Sequence, residues 1–461
     1  MKTRPQFNLL YLHSHDTGRS IQAHGCSVRT PHLQTLAESG CLFRQAYCTA
    51  PTCSPSRAGL LTGETSHQAG MVALAHRGGR LSHPERHLAS FLVGHGYETV
   101  LAGFEHVGPP DLCGYTRVSD VDRNTGQDVV NYATNFLESV GTEKPFFLDV
   151  GFMETHRTEW VSHGFNQERY SPHDGDGNAD YVAPPAALPD TPETRRDWLD
   201  FQHAVERLDG YYGQILATLD AAGLTENTLI VATTDHGIAF PLHKCSLTSL
   251  GTGVFFILRL PGGAKDGMTS DALVSHLDFY PTVCDLLKLE APSWLQGKSL
   301  LPILRGDAES VRDTVFAEVT FHAAFEPKRS ARNKDWNYIR NFAAPHTAVL
   351  PNCDDGHSKR LLMEKGWAQC IPPVEELYDL HLDPDERINL AADPGYKDIL
   401  GNMRERLRIW MQQTDDPLLD PNPSVIPLPQ TVNTWDQQQP GGGDTASTWD
   451  TTDWDRIHHS V

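Results

Sequence analysis

Short apolar runs, each closed by Gly, Pro or a polar turn and separated by helix-patterned stretches, constrain this chain more than any other feature. "NLLYLHS", "YETVLAG", "PFFLDVGF", "TLIVATTD" and "GVFFILRLP" are too short for helices and rich in β-branched or aromatic residues, so they read as buried strands. Between them lie helical patterns. "TPHLQTLAESG" carries Thr30 where a helix N-cap belongs, Pro31 at the first helical position and Gly40 just past the end. "RHLASFLVGHG" and "DVVNYATNFLESVG" are helix-like. From residue 192 to 222, Trp198, Phe201, Val205, Leu208, Tyr212, Ile215 and Leu219 recur at three- and four-residue steps, one face of a long helix. Strands alternating with helices predict an α/β chain whose sheet is largely parallel and covered on both faces.

The texture changes after "LQGKSLLPILRG". "DTVFAEVT" and "DWNYIRNF" read as strands of an antiparallel sheet, and "YKDILGNMRERLRIWMQQ" as an amphipathic helix. With 461 residues the chain is too long for one simple core. The expected division is a large α/β domain over 1–310, a smaller α+β domain over 311–415 and an extended tail over 416–461. The tail is rich in Pro, Gly and Gln, and its tryptophans, Trp435, Trp449 and Trp454, predict that it docks on this chain or on a second copy, giving a homo-oligomer.

The net charge of -21 argues against nucleic acid and against an anionic membrane surface as partners. A small anion remains a fit, because a few local cations or a metal override the overall field. The apolar run Leu9–Leu12 is too short for a signal segment, and no window reaches the length of a membrane span. The nine cysteines are odd in number, show no C-x-x-C spacing, and no Asn-x-Ser/Thr acceptor occurs. The expected compartment is therefore reducing and cytoplasmic.

In an open α/β sheet the chemistry gathers at the carboxyl ends of the strands. After "NLLYL" come His13, His15 and Asp16; after "VLAGFE", His106; after "FFLDVGFMET", His156; after "TLIVATT", Asp235 and His236. Two Asp-His pairs in opposite order, His15-Asp16 and Asp235-His236, suggest a metal site made of carboxylate and imidazole. A further cysteine, Cys53, sits in "APTCSPSRAGLLTG" with Pro55, Ser56 and Arg57 at fixed distances, neighbours that a structural thiol does not need.

That segment, C-S-P-S-R-A-G-L-L-T-G, resembles the signature of the type I sulfatases, in which C-x-P-S-R directs oxidation of the cysteine to formylglycine. "TPHLQTLAESGCLFRQAYC", "SHLDFYPTVCDLLKL", "LQGKSLLPIL" and "EELYDLHLDPDERINLA" look like recurrent segments of the same family. "EHVGP", "FFLDVGFMETHR" and "DHGIAFPLHK" look most like its heparan N-sulfatase (sulfamidase) branch and microbial relatives. The resemblance implies an alkaline-phosphatase-like fold: a large mixed sheet flanked by helices, then a smaller domain with an antiparallel sheet and a helix. It also implies a formylglycine-converting enzyme as partner and one divalent metal, calcium by family, held by His15, Asp16, Cys53, Asp235 and His236.

The resemblance explains the cysteine. A thiolate attacking sulfur would leave an adduct with no easy exit. Formylglycine hydrates to a diol, of which one oxygen attacks and the other then expels sulfate by elimination. By the same resemblance Arg57 holds the diol, His106 assists its collapse, His156 protonates the leaving group and Lys244 grips sulfate. Two departures stand out. The family presents paired carboxylates and Asp-Asn where this chain has His15-Asp16 and Asp235-His236, and imidazole favours manganese or zinc over calcium. The family's G-K-x-H is "GFEH", so Phe104 replaces a sulfate-binding lysine, and the sequence does not decide whether Glu105 faces the substrate. The expected function is hydrolysis of a sulfate ester or sulfamate of a small, sugar-like molecule. The alternatives are a phosphonate or phosphate ester hydrolase built on the same site, the Asp-His pair resembling that of formylglycine phosphonate monoester hydrolases, and a non-catalytic binding protein on the same scaffold.

Overall fold

The computed structural model describes residues 7–141, 143–157, 165, 178–263, 267–343, 347–420, 426, 428–438 and 444–445. Eight strands form the large sheet: β1 (Asn8–Ser14), β2 (Cys41–Tyr47), β3 (Glu98–Gly103), β4 (Arg117–Val118), β5 (Phe146–Gly151), β6 (Thr228–Thr234), β7 (Phe256–Arg259) and β8 (Met268–Ser275). Their order is β4-β3-β5-β1-β6-β7-β2-β8. All neighbours run parallel except β7, antiparallel to both β6 and β2. The sheet is thus mixed, as the resemblance implies, with the parallel core that the alternation predicts.

Period-two alternation splits each central strand between two cores. Leu9, Tyr11, Phe147, Leu229 and Val231 face one layer, with Leu60, Leu61, Phe279 and Val283. Leu10, Leu12, Leu148, Val150, Ile230 and Ala232 face the other, with Leu33, Val129, Phe201, Leu208 and Tyr212. The long helix Pro192–Ala221 lies in this second layer, capped by Thr191. Helix α1 (Pro31–Glu38) starts after Thr30 as expected, but the Thr30 hydroxyl does not cap it; it accepts instead from the Gln22 backbone N–H at 2.8 Å.

Register brings the strand ends level. β1 pairs with β6 from Asn8↔Thr228 to Ser14↔Thr234 and with β5 up to His13↔Gly151, while β3 meets β5 up to Gly103↔Gly151. The residues that follow β1, β3, β5 and β6 therefore emerge along one edge. Gly151 is required there, since a Cβ would stand 1.8 Å from the Phe104 carbonyl oxygen.

The second sheet is antiparallel in the order β12-β11-β10-β9, from β9 (Val315–Phe321), β10 (Phe325–Arg332), β11 (Trp336–Asn341) and β12 (Glu375–Asp379). Phe321, Tyr338 and Leu377 pack against Leu400, Met403, Leu407 and Trp410 of the helix Lys397–Gln413. The described part of the tail docks on this chain: Trp435 Nε1 donates to the Phe325 carbonyl at 2.6 Å, and Gln430 N to Arg77 O at 2.6 Å. Trp449 and Trp454 lie outside the described residues. All nine cysteines are free, and among the described residues no helix is long and apolar enough to cross a membrane.

Candidate active site

Helix α2 (Cys53–Thr62) begins at the cysteine itself, after an extended Thr52, and every residue in it is buried. Pro55 falls in the first turn, where its missing N–H is no loss. Cys53 and Arg57, four residues apart, share one helix face. The two serines of the motif pin the helix: Ser54 Oγ accepts from Ala75 N at 2.9 Å, and Ser56 Oγ donates to the Asp235 carbonyl at 2.5 Å. Arg57 is held at both terminal nitrogens, with Nη2 donating to Ser14 O (2.9 Å) and Asp235 Oδ2 (3.0 Å) and Nη1 to His13 Nδ1 (2.5 Å). His13 in turn donates to Asp149 (2.8 Å), which also accepts the Tyr115 hydroxyl (2.5 Å). His13 therefore stands beneath Arg57 and outside the group of metal-ligand candidates.

Those candidates converge. One ligand atom from each of His15, Asp16, Cys53, Asp235 and His236 lies within 4.8 Å of all the others, every one of them buried. His15 Nδ1 is 2.9 Å from Asp16 Oδ1 and 3.2 Å from Asp235 Oδ2, and His236 Nε2 is 3.2 Å from Asp16 Oδ1 and 3.5 Å from Cys53 Sγ. His236 Nδ1 donates to the Gly237 carbonyl at 2.9 Å, which leaves the Nε2 lone pair facing the cluster, the tautomer a metal ligand needs. Burial alone would raise both Asp16 and Asp235, yet Lys244 and His156 beside the first, and His236, His15 and Arg57 beside the second, hold both below the usual carboxylate range. Burial pushes His15 well down. It pushes the Cys53 thiol well up, with Asp16 and Asp235 adding to the effect, so the unmodified residue is a poor nucleophile. Ionised carboxylates and imidazoles around one point fit a divalent cation, which binds imidazole in its neutral form. Asp16 (φ 57°) and His106 (φ 69°) are held in the left-handed region, as are Leu242 and Cys245 around Lys244, a strain that clusters at working sites.

Around this cluster stand the other expected residues. His156 Nδ1 donates to the Arg157 carbonyl at 2.6 Å, so its Nε2 faces Lys244 Nζ (3.4 Å) and Asp16 Oδ2 (3.8 Å). Lys244 Nζ donates to Asp16 Oδ2 at 3.0 Å and meets Asp354 Oδ2 at 2.8 Å. Burial would lower its ammonium, but these carboxylates hold it well above the ordinary lysine range. His106 Nε2 is 3.0 Å from His76 Nδ1 with the rings stacked, and burial, with His76 and Arg57 adding, lowers its pKa well below that of a free imidazole. A lowered pKa suits the role of base that the resemblance implies for His106. Phe104 lines the same space, 5.3 Å from His15 and 4.9 Å from His106, with Arg57 on one approach and Arg123 on another, each 5.4 Å from its centroid.

Glu105 does not face the pocket. It is buried, one oxygen accepting from Val107 N (2.9 Å) and Gly108 N (3.3 Å) and the other 3.6 Å from His87 Nε2. His76, Arg123 and Asp354 are additions the sequence did not offer. Of these only His76 left a trace, lying shortly after the motif helix; Arg123 and Asp354 sit in turn-like segments with no pattern to mark them.

The sulfatase family profile matches residues 8–289, and the profile of the N-sulphoglucosamine sulphohydrolase C-terminal region matches residues 248–353. The chain belongs to the sulfatase family. It is 31% identical to human N-sulphoglucosamine sulphohydrolase over 90% of this chain and 92% of that one. An ulvan-active sulfatase of Formosa agariphila is 28% identical over 89% of this chain and 81% of its own length. Among solved structures, one in complex with its substrate D-glucosamine-2-N,6-O-disulfate superposes with a TM-score of 0.68 at 18% identity, covering 90% of this chain and 99% of that one. The phosphonate monoester hydrolase of Agrobacterium radiobacter superposes at 0.66 with 20% identity, over 88% and 96%. At those identities the structures speak for the alkaline-phosphatase-like sulfatase fold alone. As a family member the chain is a sulfatase, a hydrolase of sulfate esters or sulfamates.

Proposed function

We propose that this sulfatase acts on a small singly sulfated sugar, with a sulfamate or sulfate ester as the bond cleaved and Cys53, converted to formylglycine by a separate enzyme, as the nucleophile. The observation that carries the reading is the meeting of the C-x-P-S-R cysteine with four buried imidazole and carboxylate groups at one point. His15, Asp16, Asp235, His236 and the modified Cys53 would hold the divalent ion, calcium by family and manganese or zinc by donor chemistry. That ion supplies Lewis-acid stabilisation of the sulfuryl oxygens and lowers the pKa of the attacking oxygen. Arg57, fixed by Ser14, Asp235 and His13, holds the nucleophile's position. His106, kept neutral by burial, takes the proton released as sulfate departs. His156 carries a proton on Nε2 to the leaving nitrogen or oxygen, its ring oriented by the Arg157 carbonyl. Lys244 binds the transferred group. Two separate sheets and a tail support a three-part division at residues 310 and 415.

A single negative charge on the transferred group suits this pocket, because Phe104 stands where the family has a lysine. The test compares kcat/KM on matched sulfamate, sulfate ester, phosphonate monoester and doubly charged phosphate monoester substrates, beside peptide mass analysis of residue 53. Preference for sulfur substrates with an aldehyde at residue 53 is the expected result. A preference above about tenfold, 1.4 kcal/mol, for either phosphorus ester would overturn it in favour of the Asp-His alternative.

A further inference from the structure

Among the described residues, the metal-ligand candidates and the steps above leave unused a carboxylate beside the site, that of Asp354. Asp354 lies between the turn Leu350–Asn352 and the helix His357–Glu364, outside the large sheet, and is 9% exposed. Its Oδ2 is 2.8 Å from Lys244 Nζ, and its carboxylate stands within 4.8 Å of the ligand atoms of Asp16 and His156. Lys244 also serves Asp16, so one ammonium is shared between two carboxylates. A carboxylate accepts about four hydrogen bonds. Asp354 thus retains acceptor capacity beside His156, on the side where the leaving group departs.

Its position is fixed from both flanks. Lys359 Nζ donates to the Cys353 carbonyl (2.6 Å) and pairs with Asp355 (2.8 Å). The Asn352 side chain accepts from Ala323 N and Ala324 N (3.0 and 2.8 Å). Ser358 donates through N and Oγ to Asp197 (3.0 and 2.6 Å), which forks onto Arg157, the neighbour of His156 (2.7 and 2.9 Å). An anchored anion of this kind rewards a donor and rejects a second anion.

We propose that Asp354 is a specificity-determining residue. It accepts a hydrogen bond from an N–H or O–H on the leaving-group side of the substrate, and it excludes sugars that carry a further sulfate next to the one removed. This rests on the sulfatase reading above. The test uses metal-loaded, formylglycine-containing wild type and Asp354→Asn on three probes: glucosamine N-sulfate, 4-nitrophenyl sulfate, whose leaving group has no donor, and glucosamine 2-N,3-O-disulfate. In the variant, kcat/KM for glucosamine N-sulfate should fall at least about tenfold more than for 4-nitrophenyl sulfate, and discrimination against the disulfate should shrink. Inhibition by inorganic sulfate, which has no leaving group, should hold or strengthen.

Equal losses on both monosulfates, or weakened sulfate inhibition, would mean that Asp354 only steadies Lys244, and the proposal falls. If Asp354→Asn does not fold, Asp354→Ser is read by the same ratios. A wild type that turns over no sulfur substrate overturns the functional reading itself, whereas an active wild type with unchanged ratios overturns this inference alone.

Discussion

Under the small sheet, Arg329 forks onto Asp416 (2.6 and 3.0 Å) and reaches Glu318 at 3.5 Å, while Glu318 binds His67 at 2.9 Å. At the edge of the large sheet, among the described residues, Asp16, Asp235 and Asp354 meet two fixed cations, Arg57 and Lys244, and the imidazoles of His15, His156 and His236, which bind a metal only when neutral. Both clusters are buried, so both incur a desolvation cost. The first balances two acids with a guanidinium and a protonated imidazole, and is complete. The second has a surplus of negative charge, which a divalent cation would offset. Buried charge alone therefore does not mark a site, whereas an unbalanced set does.

The largest effect should come from the unbalanced side. Cys53→Ala should lower kcat by at least about a thousandfold while the melting temperature stays near wild type. Turnover that survives would remove the nucleophile assignment. Arg329→Ala should do the reverse. Leaving Glu318 and Asp416 buried beside no guanidinium should cost about 3–5 kcal/mol in urea unfolding, with activity per folded molecule unchanged.

Adding manganese or calcium at a hundred times its Kd should stabilise the wild type by about 2.7 kcal/mol. Most of that gain should vanish in a His15→Ala/His236→Ala variant and persist in Arg329→Ala, as read by thermal shift.

The smallest effect is a pH dependence in the balanced cluster. Burial alone would lower His67, but the Glu318 carboxylate on its Nδ1 raises it above its ordinary 6.5. A group raised on folding adds stability that is full below the unfolded value and is lost as pH climbs through the folded one. Wild type should therefore lose more stability than His67→Gln from about pH 6.5 upward. Parallel curves would show that His67 is already neutral.

Of the strands legible in the sequence, β1, β3, β5, β6 and β7 of the large sheet are buried on both faces, where apolar residues run on without a break, and β9 and β11 of the small sheet are marked by β-branched and aromatic residues. β2, β8 and β10 were hidden by charge that the fold cancels. Arg44 of β2 pairs with Asp271 of β8 (2.6 Å), and Arg329 of β10 sinks onto Asp416. The metal-ligand candidates were legible because each follows a strand or opens the motif helix. Asp354 was not, because its place depends on where the small sheet settles. The direction of Glu105 was not legible either, because in a tight turn it is set by backbone donors, here Val107 and Gly108.

Cys53 is 2% exposed and Asp354 arrives from the last third of the chain. A ribosome delivers the cysteine early and the residue that borders its pocket late. Any enzyme that modifies Cys53 has to act while α2 is still uncovered, so the interval between those two moments is a window set by translation and folding speed. Mutations that hasten closure of the large sheet would then yield a well-folded, thermally sound and chemically silent protein. Slowing synthesis through the middle of the chain would raise the fraction of active molecules without changing a single contact in them.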